Sequence, residues 1–443
     1  MTDGGGVAAD GERSGRNDGN LIGRAAEAVA AGRYLAAIRL LEDAPRDLPG
    51  RDAVLGAAHL GRKKPQPALD HLLRATASGD DGADPATLLL LGRAYLLAAD
   101  PGAAIRLLEA LAGRWGASAP PELADVLAAA YRRDARYEDV LALVAASPDP
   151  GLQRLYEKAL CQNSLGDGPG ALSTWDAVLA IDPDFAAAWY GSHGPALEVC
   201  GWPEAGRRLV RAASCSKANG KYNALAAAYD LLAGREPRPF DPRHAHFVEG
   251  ARALVPDLAP GMRLFGLSSS LLRWALGRAE RPGMVLEFGV RRGHSLAVIA
   301  AAAGQEVHGF DSFEGLPESW GSAPRGVLST GGERPVAGPD VHLHAGWFED
   351  TLPAFLATRP GEPVRFANID SDIYSSARTV LQALGRRIGP GTVLVFDEFI
   401  GNRTWRQDEF RAFHEFAAGF GVRGQIIAVN PACKQVAMII AAG

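Results

Sequence analysis

Cysteine is scarce in this chain of 443 residues: Cys161, Cys200, Cys215 and Cys433 are the four, with no CxxC pair and no zinc-ligand spacing. That excludes a disulfide framework and a zinc module, and it fits reduced thiols in a cytoplasmic protein. Blocks of one charge are also missing. The 46 Lys and Arg are balanced by 51 Asp and Glu, for a formal charge of −5, and no basic stretch offers a footprint for nucleic acid. No run of about eighteen uninterrupted apolar residues occurs, so no membrane span is expected. The Ala-rich segments that come nearest suit packing inside a helical array. The first twenty residues are rich in Gly, Asp, Arg and Asn without an apolar centre, which reads as a flexible tail over 1–20 and not as a signal peptide.

What is present divides in two. The length exceeds what one core usually holds, so two domains, or a repeat array and one domain, are expected. Across 21–235, Ala and Leu recur at helical spacing. Ala37, Ala68, Ala104, Val140, Ala171 and Ala205 follow one another at 31, 36, 36, 31 and 34 residues. Each comes after a turn signal such as Asp100-Pro101-Gly102, Gly166-Asp167-Gly168 or Gly201-Trp202-Pro203. The period resembles the 34 residues of tetratricopeptide arrays and counts out as six units. One helix pair cannot bury its apolar stripe alone, whereas stacked pairs share a core and present a concave surface. Such a solenoid is expected to recruit an acceptor or a protein partner. Its Trp, Tyr and Leu positions read as packing between repeats, and no chemistry is assigned to it.

Three prolines between Pro237 and Pro242 break the helical period and mark a linker over 236–245. The second domain is then 246–443, beginning with lead-in helices from His246 to Gly277. Five apolar runs alternate with helical stretches: Met284 to Phe288, Glu306 to Phe310, Val341 to His344, Val364 to Ile369 and Thr392 to Phe396. That rhythm predicts a parallel α/β sheet. A further pair, Gln425 to Asn430 and Gln435 to Ile440, would add an antiparallel hairpin. The expected architecture is therefore α + α/β: a helical solenoid, then a Rossmann-like domain with a mostly parallel seven-stranded sheet.

The first strand empties into Glu287-Phe288-Gly289-Val290-Arg291-Arg292-Gly293. Dinucleotide sites use GxGxxG, and this loop is instead the E/DxGxxxG pattern of S-adenosylmethionine enzymes. Asp311 ends the second strand, twenty-two residues after Gly289, where a carboxylate can hold a ribose diol. Gly289 and Gly293 would let the backbone approach the methionine part, with Glu287 and Ser295 bonding its polar ends. Trp347 and Phe348 could flank adenine. Ser312, Gly346 and Asp370 complete the expected cofactor set, since ligands of open α/β sheets bind at the carboxyl ends of the strands.

Three motifs in order, from Gly309-Phe310-Asp311-Ser312-Phe313-Glu314-Gly315-Leu316-Pro317, through Gly346-Trp347-Phe348-Glu349-Asp350, to Ile369-Asp370-Ser371-Asp372, resemble the macrocin O-methyltransferase family over roughly Met284 to Ile440. The resemblance implies methyl transfer to a sugar hydroxyl of a natural product, with S-adenosylmethionine and a divalent metal, usually magnesium. Several carboxylates at one strand-end crevice also call for a cation on physical grounds. Asp370 takes the strand-four ligand position, and Asp397 with Glu398 the strand-five acidic pair. Glu398 departs from the two aspartates frequent there. A sugar hydroxyl needs a base, and Asp397, Asp372 and His414 are the candidates. The catechol branch places a lysine three residues after its strand-four aspartate; Ile373 stands there, which excludes that base. The long stretch from Gly315 to Asp340 reads as a lid, with Trp320 and Arg325 over the acceptor. The acceptor is thus expected to be a small molecule or glycan. A peptide acceptor held by the array, and a scaffold that has lost turnover, are the alternatives.

Overall fold

The structure is a computed structural model that describes residues 20–77, 84–321 and 323–442. Of the expected tail over 1–20, all but Asn20 lies outside the described residues. The chain forms two compact units, Met1–Asp134 and Ala135–Gly443.

In the first unit, helix α1 over 20–30 is followed by α2 (Tyr34–Glu42), α3 (Arg51–Gly61), α4 (Pro65–Thr76), α5 (Pro85–Leu97), α6 (Pro101–Trp115) and α7 (Pro121–Arg133). Four of these start on proline, whose fixed φ suits the first helical position and whose missing N–H costs nothing there. Asp84 and Asp100 cap two of them by accepting from the amides of Thr87 (3.2 Å) and Ala103 (2.8 Å). From α2 onward, consecutive helices pack on each other. The recurring Ala37, Ala68 and Ala104 are fully buried, so the period seen in the sequence marks helix contacts. Gly56 serves the same purpose, because a Cβ there would lie 2.5 Å from Leu72 of the next helix.

The second unit opens with α8 (Tyr137–Ala145), α9 (Gly151–Leu165), α10 (Gly168–Ile181), α11 (Ala186–Cys200), α12 (Trp202–Ser214) and α13 (Lys221–Leu232). Val140, Ala171 and Ala205 are again fully buried. Pro195 inside α11 removes the bond that would reach the Gly191 carbonyl, and Asn163 of α9 donates to that carbonyl instead at 3.0 Å. The segment 236–245 lies within this unit. Arg235 and Arg238 converge there on Asp230 at 3.1 and 2.6 Å, and Pro242–His244 form a single 3-10 turn before α14 (Ala245–Leu254).

The sheet has eight strands where seven were expected: β1 (Leu258–Leu264), β2 (Met284–Phe288), β3 (Val307–Asp311), β4 (Val341–Ala345), β5 (Val364–Ile369), β6 (Val393–Phe396), β7 (Val422–Asn430) and β8 (Gln435–Ala442). Their spatial order is β1-β7-β8-β6-β5-β2-β3-β4. Only β8 opposes its neighbours; every other pairing is parallel. The five parallel strands and the closing hairpin occupy the stretches the sequence marks. The extra strand is β1, which lies in the segment expected to hold only helices and pairs with β7, giving the sheet its outer edge on that side. Pro260 and Gly261, the latter with φ +77°, break the register between Leu258 and Arg263, so the run never shows a clean period of two.

β2 is buried along its whole length, as parallel strands covered on both faces should be. One face packs Leu286, Phe288, Phe310, Ile369 and Phe396 against α13, α14, α17 (Phe348–Ala357), α18 (Tyr374–Leu384) and α19 (Glu409–Phe420). The opposite face packs Val285, Val307, Phe366 and Val395 against α15 (Ser268–Leu276) and α16 (His294–Ala303). Among the described residues, no helix is long and apolar enough to cross a membrane.

Candidate active site

The carboxyl ends of β2 to β6 converge on one crevice. At the end of β2 the chain turns at Gly289 (φ +95°), where a Cβ would stand 1.8 Å from the Asp370 carbonyl. Only glycine fits that crossing of two strand ends. The loop closes at Gly293 (φ +81°), the residue before α16. Asp311 holds the loop from the side: one carboxylate oxygen accepts the amides of Val290 (2.8 Å) and Arg291 (2.7 Å), and the other accepts that of Phe313 (2.6 Å). A carboxylate has about four acceptor positions, so one is left for a ligand.

A cavity of about 400 Å³ opens over this turn. Gly289, Asp311, Ser312, Gly346, Trp347 and Phe348 border it, as does Asp370. Trp320 and Leu316 face the same space from the long 315–340 segment. That segment is a built loop: Leu316 and Val327 are joined backbone to backbone (3.0 Å), and a Cβ on Gly315 would meet two of its carbonyl oxygens at 2.4 Å. Arg325 stands exposed and borders neither this cavity nor the one described below.

Three residues expected against the cofactor are placed otherwise. Glu287 does not border the cavity; it is fully buried beneath the turn, where its carboxylate accepts from Asn368 Nδ2 at 2.9 Å. Burial pushes its carboxyl up to about 8, opposed by hydrogen bonds from Asn368 and Ser295. Ser295 therefore serves Glu287 and faces a second cavity. Gly293 meets Pro335, whose ring would lie 2.9 Å from an added Cβ. All three fall outside the cavity because the strand end turns away from it at Gly289, placing the preceding acid and the helix start behind the loop.

The acidic corner lies where β5 and β6 end in register, Ile369 beside Phe396. Asp370, Asp372, Asp397 and Glu398 all border the cavity. Burial first, and then the charges of their neighbours, raise the proton affinity of Asp370, Asp372 and Asp397 well above the ordinary carboxylate range. Both oxygens of Glu398 lie 2.7 Å from the Lys434 ammonium. Among the described residues, no three His, Cys, Asp or Glu side chains are arranged as cation ligands. A three-carboxylate centre including Glu398 is thus not what the structure presents: its third member is held by an internal lysine. The charge of Asp397 acting on buried Asp370 fits a cation bound by those two, although the Lys434 charge also acts on Asp397.

His414 is corrected. It stands exposed on α19, its Nδ1 bonded to the Phe410 carbonyl one turn back (2.9 Å) and its ring stacked on Phe410 at 4.0 Å. It borders neither cavity at the strand ends, because the phenylalanine face of α19 turns inward and carries the histidine away from the crevice.

The sequence pattern did not expose several supporting groups. Glu409, fully buried at the start of α19, accepts the amides of Ser371 (3.3 Å) and Glu398 (3.0 Å) and so ties the two acidic loops together. Gln435 donates through Nε2 to Asp397 and to Ser268 Oγ. Both come from elements more than ten residues away in sequence, so no local motif announces them.

Residues 286–399 match the family described as a methyltransferase domain. Over 175 residues the chain is 27% identical to an 8-demethyl-8-(2,3-dimethoxy-alpha-L-rhamnosyl)-tetracenomycin-C 4'-O-methyltransferase of Streptomyces olivaceus. That match takes in 34% of this chain and 63% of the relative, so the chain spans less than two thirds of that protein's length. Two solved structures are also similar. The calicheamicin methyltransferase CalS11 is 23% identical, with 49% of this chain and 91% of that one covered and a TM-score of 0.33. The apo form of CalS11, described as a TDP-rhamnose 3'-O-methyltransferase, gives 24%, 49% and 92%, with a TM-score of 0.30.

Proposed function

We propose that residues 286–399, a methyltransferase domain, make this protein an S-adenosylmethionine-dependent O-methyltransferase acting on a hydroxyl of a sugar or natural-product acceptor. The observation that carries this is a single crevice in which a glycine turn, a ribose-type carboxylate and an aromatic pair lie beside buried carboxylates. The narrower likeness to macrocin O-methyltransferases rests on the three motifs at Asp311, Trp347 and Asp370.

Asp311 and Ser312 would hold the ribose, Trp347 and Phe348 the adenine, and the Gly289 turn the methionine end. S-adenosylmethionine supplies a methyl group electrophilic enough for displacement by oxygen. The work left to the protein is to align a hydroxyl, exclude water and take its proton. Asp372 and Asp397, each bordering the cavity and each with raised proton affinity, are placed to accept that proton near neutral pH. Gln435, donating to Asp397, orients that carboxylate.

A divalent cation, magnesium by the resemblance, would be held by Asp370 and Asp397, and Asp372 would then be the base. Bound there it would acidify the hydroxyl. Glu398 would take no part while Lys434 holds it. The helix pairs before and after residue 134 are read as tetratricopeptide-like, with a cytoplasmic location. Isothermal titration tests the reading: the folded protein should bind S-adenosylmethionine, and Asp311→Ala should weaken that binding. A folded protein with no affinity for the cofactor would sink it.

A further inference from the structure

A second cavity, of about 460 Å³, lies in the same unit and meets the first at the acidic corner. Its floor is Asp370 and Asp397, which also border the first cavity, and Tyr137 of α8 borders both. Its walls come largely from the helical array. Glycine contacts hold these walls against the sheet domain. A Cβ on Gly194 of α11 would lie 2.5 Å from the Gly266 carbonyl, and one on Gly166 would lie 2.1 Å from Ser269 Oγ. Glu198 locks the same junction by accepting the amides of Gly266 (2.8 Å) and Leu267 (3.3 Å). On the α16 side, His294 Nε2 reaches the Ala135 carbonyl at 2.7 Å while its ring packs on Tyr137.

The lining has a definite chemistry. Tyr190 and Tyr222 stack with centroids 4.8 Å apart, and the Lys221 ammonium lies 4.7 Å from the Tyr190 ring centre. His193, 3% exposed, meets the Tyr190 carbonyl through Nδ1, so that nitrogen carries the proton and Nε2 is an acceptor with no partner. Burial holds this ring neutral by pushing its pKa down to about 4. Ser269, 4% exposed, also borders the cavity with an unpartnered Oγ. Aromatic faces, neutral hydrogen-bonding groups and one ammonium suit a ring that is apolar on its faces and rich in hydroxyls at its edge. Lys221 is the single Lys or Arg of this lining, too little positive charge for a diphosphate.

On the proposed methyltransferase reading, we infer that this cavity is the acceptor site, built by α8–α13 to hold the neutral glycosyl ring of a glycoside with one hydroxyl turned to Asp397. In the reaction the hydroxyl oxygen forms a bond to the donor's methyl carbon as the carbon–sulfur bond breaks. The electron pair returns to sulfur and the hydroxyl proton passes to a carboxylate of the acidic corner.

The test uses the full-length protein and a panel of neutral p-nitrophenyl glycosides, with direct binding measured first in the absence of cofactor. At least one glycoside should bind. Two variants probe the walls: Ser164→Trp, which projects into the cavity from an exposed position, and Lys221→Met. Each should weaken glycoside binding at least tenfold while S-adenosylmethionine affinity, measured by titration, stays within twofold. Cofactor affinity retained by both also shows that they fold. If no neutral glycoside binds, if only a nucleotide sugar or a peptide does, or if both variants bind glycoside like the parent, the inference is overturned. Loss of cofactor binding by the parent protein would instead overturn the methyltransferase reading and leave the glycoside result to stand or fall alone.

Discussion

Gly56 and Gly92, in the helices before residue 134, press against leucines of a neighbouring helix, with an added Cβ 2.5 Å from Leu72 and 3.0 Å from Leu108. After it, Gly166, in the turn that ends α9, and Gly194, within α11, press against the Ser269 hydroxyl at the start of α15 and the Gly266 backbone between β1 and α15. The two stretches share composition, period and turn signals. A helix repeat needs small residues wherever surfaces approach closely, and the sequence does not record what approaches. In the first unit Gly56 and Gly92 pack one helix of the array on the next. In the second, Gly166 and Gly194 anchor helices that wall a cavity ending on Asp370 and Asp397.

The largest effect should come from the acidic corner. Asp372→Asn and Asp397→Asn are each expected to lower kcat by roughly 10²- to 10⁴-fold, with cofactor affinity changed less than threefold in titration. Glu398→Gln, measured alongside, should cost under fivefold, because Lys434 and not a ligand holds that carboxylate. EDTA should abolish turnover and magnesium restore it in the parent and in Glu398→Gln alike. A Glu398→Gln protein that magnesium no longer rescues would return Glu398 to the ion.

Next in size is the direct contrast between the helical stretches. Gly194→Ala drives a methyl group into backbone that has no rotamer to yield, and kcat/KM for a glycoside acceptor should fall by about 30-fold or more. Gly56→Ala meets the Leu72 side chain, Cγ first, and no backbone. Overpacking of this kind costs about 1–3 kcal/mol, so the thermal transition should fall while kcat/KM stays within twofold. Equal losses of activity in both variants would break the comparison.

Asp311→Ala removes the acceptor of three backbone amides and the expected ribose contact together. Cofactor Kd should rise about 10- to 100-fold with a modest loss of stability, since unmade buried hydrogen bonds cost about 1–3 kcal/mol each. The smallest effect on activity is expected of Glu287→Gln, whose change is in stability and its dependence on pH. The folded protein keeps this proton up to about 8, whereas the unfolded chain loses it near the ordinary glutamate value of about 4.3. Stability from this group is therefore lost as pH rises through that window and is level above it. Removing the titration should stabilise the variant by up to about 3 kcal/mol at pH 7 and by almost nothing at pH 4, as read by denaturant unfolding at the two values.

Much of the sheet was legible because parallel strands are continuous apolar runs closed by the turn residues their crossings demand. Gly289, Asp311 and the acidic pairs at Asp370 and Asp397 stand at strand ends, and their order along the chain alone brings them together. β1 escaped because a proline and a left-handed glycine interrupt its alternation. His414 misled because a histidine among phenylalanines can face either way on a helix. Glu409, Gln435 and Lys434 escaped because each reaches the site from an element remote in sequence, with no spacing to betray it.

By itself the sequence determined the class of the sheet, the position of the glycine turn after β2 and the small-residue period of the helices. These are properties of neighbouring residues, written in hydrophobic period and in the backbone conformations only glycine allows. The tertiary structure alone decided that Glu287 lies beneath the turn and not in the cavity, that Lys434 takes Glu398, and that the later helices wall a second cavity at the acidic corner. Those outcomes depend on which surfaces meet at van der Waals distance and which charges lose their water together, and no local pattern of residues encodes either.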